Sequence, residues 1–179
     1  MRLPARGRIG IFNRSYYEEM LVVRVHPELL EKERLPPQLL KRHRWRKRFD
    51  DVNAFERHLA KNGMVILKFF LNVSKQEQKR RFLERLESPA KHWKFSPSNI
   101  AERTYWPRYM RAYEEMIRAT STPTAPWYVV PADHKPFTRL VVAAALVEAF
   151  ERLDLSFPEV GRAQLEEMKR LRTTLEQER

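Results

Sequence analysis

Apolar and polar positions fall along this chain in blocks that predict strands separated by helices. A near-continuous apolar run at residues 64–71 has the pattern of a strand covered on both faces. Shorter apolar segments at residues 8–12 and 127–130 predict two more strands. Helical stretches of ten residues or more separate these runs, so the pattern favours an α/β fold with a parallel sheet.

Local start and stop signals bound the predicted helices. Asn62 and Gly63 end one helix, because glycine is favoured just beyond a helix C-terminus. Ser74 and Glu77 have the spacing of a capping box and begin the next helix. Pro107 is expected to kink or divide a third helix. Helices are predicted, with approximate bounds, over residues 38–61, 75–86, 97–117 and 137–153, with a short helix or turn over 16–25.

Charge adds a preference for polyanionic partners. The chain has 35 Lys and Arg against 23 Asp and Glu, which gives a formal net charge of +12. Such an excess favours nucleotides, polyphosphate or nucleic acid as partners. The densest basic run, at residues 41–48, would bind polyphosphate or, non-specifically, nucleic acid, although most such runs are solvated helix faces.

The cysteine and histidine content of the chain, and the length of its apolar runs, argue against disulfide, zinc-site and membrane-spanning classes. The chain has no cysteine, which excludes disulfides and thiolate chemistry and suits a reducing compartment. Its longest apolar runs are too short to span a bilayer. Its five histidines show no zinc-site spacing. We therefore expect a cytoplasmic protein with no membrane partner.

Three phrases of sequence, in this order, carry the most specific signal. They are GRIGIFNRSYYEEMLVVRVHPE, FERHLAKNGMVILKFFLNVSKQEQKRRFLERLESPAKHWKFS and APWYVVPADHKPFTRLVVAAALVE, and they cover roughly residues 7 to 153. With these phrases the chain resembles the polyphosphate kinase 2 family, in particular its AMP- and ADP-phosphorylating branch. The resemblance implies a P-loop, thymidylate-kinase-like α/β fold with a helical lid over about residues 75–110. It also implies a phosphotransferase that moves a phosphoryl group between polyphosphate and AMP, ADP or ATP with Mg²⁺.

By this resemblance, Asn13 and Arg14 at the end of the first predicted strand would form a catalytic phosphate site. Arg14 would bind phosphate, and Asn13 would orient Mg²⁺ or its waters, as a weaker metal ligand than Asp because it is neutral. Glu18 would approach the acceptor nucleotide. From the residues alone, the alternative is an Asx-type turn with a solvated Arg14 and an exposed helix charge at Glu18.

The helix that begins after Ser74 would supply a lid whose cations fold over the phosphates. Arg81 and Arg85 are four residues apart and share a helix face, so they lead this set. Arg80, Lys91 and Lys94 complete the set. We call these five residues, Arg81 and Arg85 included, the lid cations. The alternative is a solvated basic helix with local glutamate partners, which we expect to hold for about half of the set.

The loop after the last predicted strand contains Asp133 and Lys135. The resemblance implies that this loop borders the nucleotide base or supports the phosphates, so both residues are predicted to bind nucleotide. An equally good interpretation is that Asp133 caps the helix that follows.

Family members carry a G-x-D-x-x-G-K loop ahead of the first matched phrase, and the four glycines of this sequence form no such loop. We therefore expect an N-terminally truncated kinase domain over residues 1–155 that lacks the P-loop strand, followed by a charged helical tail over 156–179. Unpaired strand edges would then favour homo-oligomers. Independent activity of this chain is left open, and the competing function is a non-catalytic basic protein that binds polyphosphate or nucleic acid.

Overall fold

The computed structural model describes residues 3–29 and 44–177, which form helices and one two-stranded parallel sheet. The described residues divide into two compact units, one ending at Val142 and the other beginning at Ala143. No described helix is both long and apolar enough to cross a membrane. In chain order the elements are α1 (Tyr17–Val25), α2 (Arg44–Lys61), β1 (Lys68–Asn72), α3 (Lys75–Glu87), α4 (Pro97–Glu102), α5 (Trp106–Thr120), β2 (Trp127–Pro131), α6 (Lys135–Arg152) and α7 (Arg162–Gln177), with 3-10 helices at Pro89–Lys94 and Arg103–Tyr105.

Strands β1 and β2 pair in parallel, and the crossover between them contains α3, α4 and α5. Phe69 lies opposite Tyr128, and their rings stack with centroids 5.2 Å apart. Because both strands run in the same direction, their carboxyl ends at Asn72 and Pro131 meet at one edge of the sheet. This edge is where ligands bind in open α/β sheets.

The strand predicted at residues 8–12 is wrong for the described structure, since this segment lies outside the sheet. An apolar segment becomes a strand only when a neighbouring strand takes its backbone hydrogen bonds, and the sheet formed by the described residues contains β1 and β2 alone. Ile11 is accordingly 90% exposed. Strand β1 also begins later than predicted, at Lys68. The predicted fold class, an α/β fold with a parallel sheet flanked by helices, is confirmed.

The core of the first unit lies where α5 packs on α1 and α2. Helix α5 contributes Ala112, Met116 and Thr120, which are four residues apart and therefore lie on one face. Met116 is among the most buried side chains that the structure describes. The apolar members of this core are Tyr17, Met20, Leu21, Phe49, Val52, Ala112 and Met116.

The predicted end of α2 at Gly63 and the predicted division of the helix over residues 97–117 at Pro107 are confirmed. Gly63 has a φ of +83°, its N–H donates to the Ala60 carbonyl at 3.0 Å, and the Met64 N–H donates to the Leu59 carbonyl at 3.2 Å. This is the Schellman arrangement that glycine favours. The chain divides just ahead of Pro107, which lies in the first turn of α5. Residues 38–43 of the predicted helix over 38–61 lie outside the described residues.

In the second unit, α7 carries apolar side chains at helical spacing in the tail for which the sequence predicts a helix. Leu165, Met168, Leu171 and Leu175 are all exposed. Ion pairs such as Lys169 with Glu166 and Arg172 with Glu176 lie along the rest of the helix.

Candidate active site at the carboxyl edge of the sheet

A hydrogen bond joins the two loops that leave the carboxyl edge of the sheet. The Ser74 N–H donates to Asp133 Oδ1 at 2.7 Å. Ser74 Oγ accepts from the Glu77 N–H at 3.0 Å, which confirms Ser74 as the N-cap of α3. In a complete capping box the Glu77 side chain would take the Ser74 N–H. Asp133 takes it instead, so the loop after β2 completes the start of α3.

Glu77 uses its carboxylate to bind two arginines of its own helix. Arg80 donates to both carboxylate oxygens at 2.6 and 2.7 Å, and Arg81 Nε donates to Oε1 at 2.8 Å. These bonds, with that of Arg80 foremost, lower the pKa of Glu77 to about 2. Glu77 is therefore ionised throughout the physiological range of pH.

Arg81 also connects α3 to the loop after β2. Its Nη2 donates to the carbonyl oxygens of Ala132 at 2.7 Å and of Asp133 at 3.3 Å. Its side chain is only 22% exposed. Arg81, which the sequence places first among the lid cations, is therefore held against the protein on two sides.

The other lid cations differ in how they are paired. Arg80 is also close to Glu84, and Lys91 pairs with Glu84. The Arg85 guanidinium lies 5.5 Å from the centroid of the Phe82 ring and has no carboxylate partner among the residues that the structure describes. The side chain of Lys94 lies outside the described residues. Local glutamates, the alternative considered from sequence, thus pair with three of the four lid cations whose side chains the structure describes, namely Arg80, Arg81 and Lys91.

Of the predicted nucleotide residues, Asp133 lies between β2 and α6, and Lys135 is the first residue of α6. Asp133 caps α3 rather than the helix that follows it, and Lys135 is exposed at the start of α6. The Ala132 N–H donates to the Asn72 carbonyl at 3.0 Å, and Thr138 Oγ1 donates to the Pro131 carbonyl at 2.9 Å. This loop is therefore held by backbone and side-chain bonds on both sides.

Asn13 and Arg14 lie in a turn ahead of α1 that follows a segment outside the sheet, and not a strand as predicted. Arg14 has a φ of +74°, which non-glycine residues rarely adopt. Its side chain is 79% exposed and pairs with Glu18 at 3.2 Å. An ion pair this exposed is weak, so Arg14 presents a guanidinium that a phosphate could readily take over.

Tyr16, Tyr17, Glu56 and Lys68 form a hydrogen-bonded group in the interior, which we call the buried cluster. The sequence analysis did not predict it. Lys68 Nζ donates to Glu56 Oε2 at 2.6 Å, to Tyr17 Oη at 3.0 Å and to the Thr120 carbonyl at 2.8 Å. The hydroxyls of Tyr16 and Tyr17 donate to Glu56 Oε1 at 2.7 and 2.8 Å. The sequence signal for this cluster was a single lysine inside the apolar run at residues 64–71.

Burial controls the ionisation of the cluster. Loss of water, followed by the nearby Glu56 carboxylate, raises the pKa of Tyr16 above its usual value, and burial likewise raises the pKa of Tyr17. Burial lowers the pKa of Lys68, although Glu56 opposes that change. The hydrogen-bonded tyrosines follow the Arg14 turn directly, so the cluster fixes the start of α1 beside that turn.

Comparison with known proteins decides the family. The family model described as Polyphosphate kinase 2 matches residues 1–158. This chain belongs to the polyphosphate kinase 2 family. The assignment agrees with the resemblance that the three sequence phrases indicate.

Members of the polyphosphate kinase 2 family with named activities align with nearly the whole chain. It is 48% identical over 174 residues to the ADP-polyphosphate phosphotransferase of Rhodopseudomonas palustris, covering 97% of this chain and 60% of that protein. It is 45% identical over 158 residues to the AMP/ADP-polyphosphate phosphotransferase of Meiothermus ruber, covering 88% of this chain and 55% of that protein. The chain therefore spans somewhat more than half the length of these two relatives.

A solved polyphosphate kinase 2 has the same fold. The crystal structure of Polyphosphate Kinase 2 from Arthrobacter aurescens TC1 matches with a TM-score of 0.78 and 41% identity, covering 88% of this chain and 52% of that chain. The likeness supports the P-loop kinase type of α/β fold for this polyphosphate kinase 2 chain.

Phosphoryl transfer by kinases generally uses a divalent metal. Within residues 3–29 and 44–177, no group of three or more His, Cys, Asp or Glu side chains is arranged to hold one. Mg²⁺ in phosphotransferases is held by one or two carboxylates together with substrate phosphates, so a site of this kind needs no larger cluster.

Proposed function

We propose that the chain acts as a polyphosphate:nucleotide phosphotransferase that moves phosphoryl groups between polyphosphate and AMP or ADP. The observation that carries this proposal is the set of lid cations on α3 and on the 3-10 helix that follows it, in a member of the polyphosphate kinase 2 family whose α3 begins beside the carboxyl edge of the sheet. The names of the relatives from Rhodopseudomonas palustris and Meiothermus ruber support polyphosphate and AMP or ADP as the substrates.

Polyphosphate would bind along the lid cations. Arg80 lies 3.7 Å from Glu84, and Lys91 pairs with the same glutamate; exposed pairs of this kind are worth only about 0–1 kcal/mol. A polyphosphate chain, with one negative charge or more per phosphate, can displace these partners at little cost. Arg85 and Lys94 would extend the same surface, while Arg81 would hold α3 in place against the loop at Ala132.

The reacting phosphate would lie near Arg14 and Asn13. Arg14 would exchange its weak contact with Glu18 for a charge-assisted bond to a phosphate oxygen. Bound Mg²⁺, with the Asn13 amide as one ligand, would neutralise charge on the transferred group. Lys135 is exposed beside the edge and suits a nucleotide phosphate, whereas Asp133 would act by fixing its loop. Glu18, once released by Arg14, would face the acceptor nucleotide.

The test is an assay of the purified chain with polyphosphate, Mg²⁺ and either ADP or AMP, following the formation of ATP or ADP. Turnover should be lost in Arg14→Ala and kept in Arg118→Ala, a matched change of an exposed arginine that pairs with Glu114 on α5. Salt-sensitive binding of polyphosphate without turnover would instead support the non-catalytic alternative.

A further inference from the structure

Helix α7 presents a stripe of apolar side chains to solvent. Met168, Leu171 and Leu175 are spaced by three and then four residues, which places them on one face of the helix. Leu165 lies at the edge of this stripe, and all four side chains are exposed. No described residue of α7 is buried, so no described part of the chain covers the stripe.

A helix of this composition depends on packing for its stability. Helix α7 has 16 residues, of which one is alanine and two are threonine, a poor helix former. Its ion pairs, Lys169 with Glu166 and Arg172 with Glu176, are exposed and add little. Short helices are marginal in water when their apolar face is not packed. A folded α7 therefore requires an occupant for its apolar stripe.

Opposite charges flank the stripe. Met168 and Leu175 take position a of a heptad, and Leu171 takes position d. Glu167 then falls at position g and Arg172 at position e, on the two sides of the stripe. These two residues are five positions apart, whereas neighbours on a helix surface are three or four apart, so they do not meet within one helix. They are placed to meet a second helix instead.

The arrangement of these charges selects an identical helix in parallel orientation. When two copies of α7 pack in parallel along their stripes, the g side of one faces the e side of the other, so Glu167 of each copy lies beside Arg172 of the other. An antiparallel pair would bring like sides, and therefore like charges, together. Because the ion pair of Arg172 with Glu176 is exposed and weak, Arg172 can share its charge with the second copy. Each helix supplies both members, so the surface is self-complementary, as a twofold symmetric dimer requires.

We propose that the apolar stripe of α7 is a docking surface for a second copy of this chain, with the two α7 helices packed in parallel. A membrane surface fits less well, because the polar face of α7 mixes glutamates with lysine and arginine, whereas helices that lie on membranes carry mainly cations there. Four apolar side chains per helix make a small interface, of the class that associates reversibly. The inference is independent of the proposed function, because α7 contains none of the residues assigned to substrate.

Sedimentation velocity of the full chain over a range of concentrations tests the proposal. We expect a monomer–dimer equilibrium, which Leu171→Asp should weaken about a hundredfold, since each dimer would then bury two carboxylates without partners. Thr173→Asp is the matched control and should leave the equilibrium unchanged, because Thr173 lies on the opposite face, where its hydroxyl donates to the Lys169 carbonyl at 3.1 Å. Glu167→Arg and Arg172→Glu should each weaken association about tenfold, and the double variant should restore most of it.

The chain has no native cysteine, so a single introduced cysteine reports how the helices meet. Leu171→Cys should form a disulfide-linked dimer on mild oxidation much faster than Thr173→Cys, because parallel packing in register brings the two copies of residue 171 together. Equal rates in the two variants, or a monomer at every concentration, would overturn the proposal. So would a dimer that Leu171→Asp leaves intact, since its contact would lie elsewhere. A monomer whose melting temperature falls in Leu171→Asp but not in Thr173→Asp would show instead that the stripe packs within one chain.

Discussion

Glutamate meets a basic side chain at the same distance in two regions that differ in their access to water. Lys68 and Glu56 are 2.6 Å apart with side chains 7% and 1% exposed, and Arg80 and Glu77 are also 2.6 Å apart but with side chains 60% and 12% exposed. Buried charges cannot regain water when they lose a partner, whereas exposed ones can. The buried cluster therefore fixes a shape, whereas an exposed lid cation such as Arg80 remains able to change partners.

The sharpest test of this contrast removes one charge from each region. Lys68→Met leaves Glu56 buried without its cation, so we expect the free energy of unfolding to fall by about 3–5 kcal/mol. Arg80→Met on the exposed surface should change it by no more than about 0.5 kcal/mol. Urea denaturation of both variants measures the difference.

The double variant Glu56→Gln/Lys68→Met is the control for the buried pair. The amide oxygen of the glutamine still accepts from Tyr16 and Tyr17, and no unpaired charge remains, so most of the lost stability should return. A double variant as unstable as Lys68→Met would show that the charges themselves are not the cause.

The cap of α3 should have an intermediate effect on stability. Asp133→Ala leaves the Ser74 N–H without its acceptor and removes a negative charge from the positive end of the helix, which costs about 1 kcal/mol. Asp133→Asn keeps an acceptor oxygen and should lose less. Equal losses in the two variants, measured by denaturation, would contradict a capping role.

Alkaline pH should act on the buried cluster through its tyrosines. The pKa of Tyr16 is raised above the ordinary 10.0, so its contribution is complete below pH 10.0 and is lost as the pH rises further. Lys68 acts in the opposite direction, because its pKa is lowered from 10.5. The slope of stability against pH above 10.0 should therefore be less negative in Tyr16→Phe than in the unchanged chain, which melting curves at several pH values would test.

The smallest effect is expected at Glu77. Glu77→Gln releases Arg80, which is 60% exposed, from its ion pair, so tripolyphosphate should bind tighter by a factor of about 3 in calorimetric titration, with a steeper dependence on salt. Glu114→Gln, which frees Arg118 on α5, is the matched control and should leave binding unchanged. Weaker binding in Glu77→Gln would indicate that Glu77 matters chiefly by orienting Arg81.

Features that depend only on neighbouring residues, such as helix caps and helix ends, were predicted correctly. The cap at Ser74, the glycine end at Gly63 and the division at Pro107 follow from the backbone chemistry of a few adjacent positions, and the structure contains all three. The strand at residues 8–12 was predicted wrongly, because a strand also requires a partner that the apolar pattern does not specify.

The sequence alone did not predict contacts between residues that are far apart along the chain. Glu56 and Tyr17 are 39 positions apart, and nothing in the polar pattern of α2 distinguishes Glu56 from its exposed neighbours. The family motifs indicated which chemistry to expect, but they did not show that Arg81 and Asp133 bind other parts of the protein.

The bond between Asp133 and Ser74 also bears on the order of folding. Its two residues are 59 positions apart, so this bond of α3 cannot form until β2 has come alongside β1. Closing so long a loop is slow compared with the growth of a helix. The first turn of α3 should therefore remain frayed in the transition state, and substitutions at Asp133 should accelerate unfolding more than they slow folding.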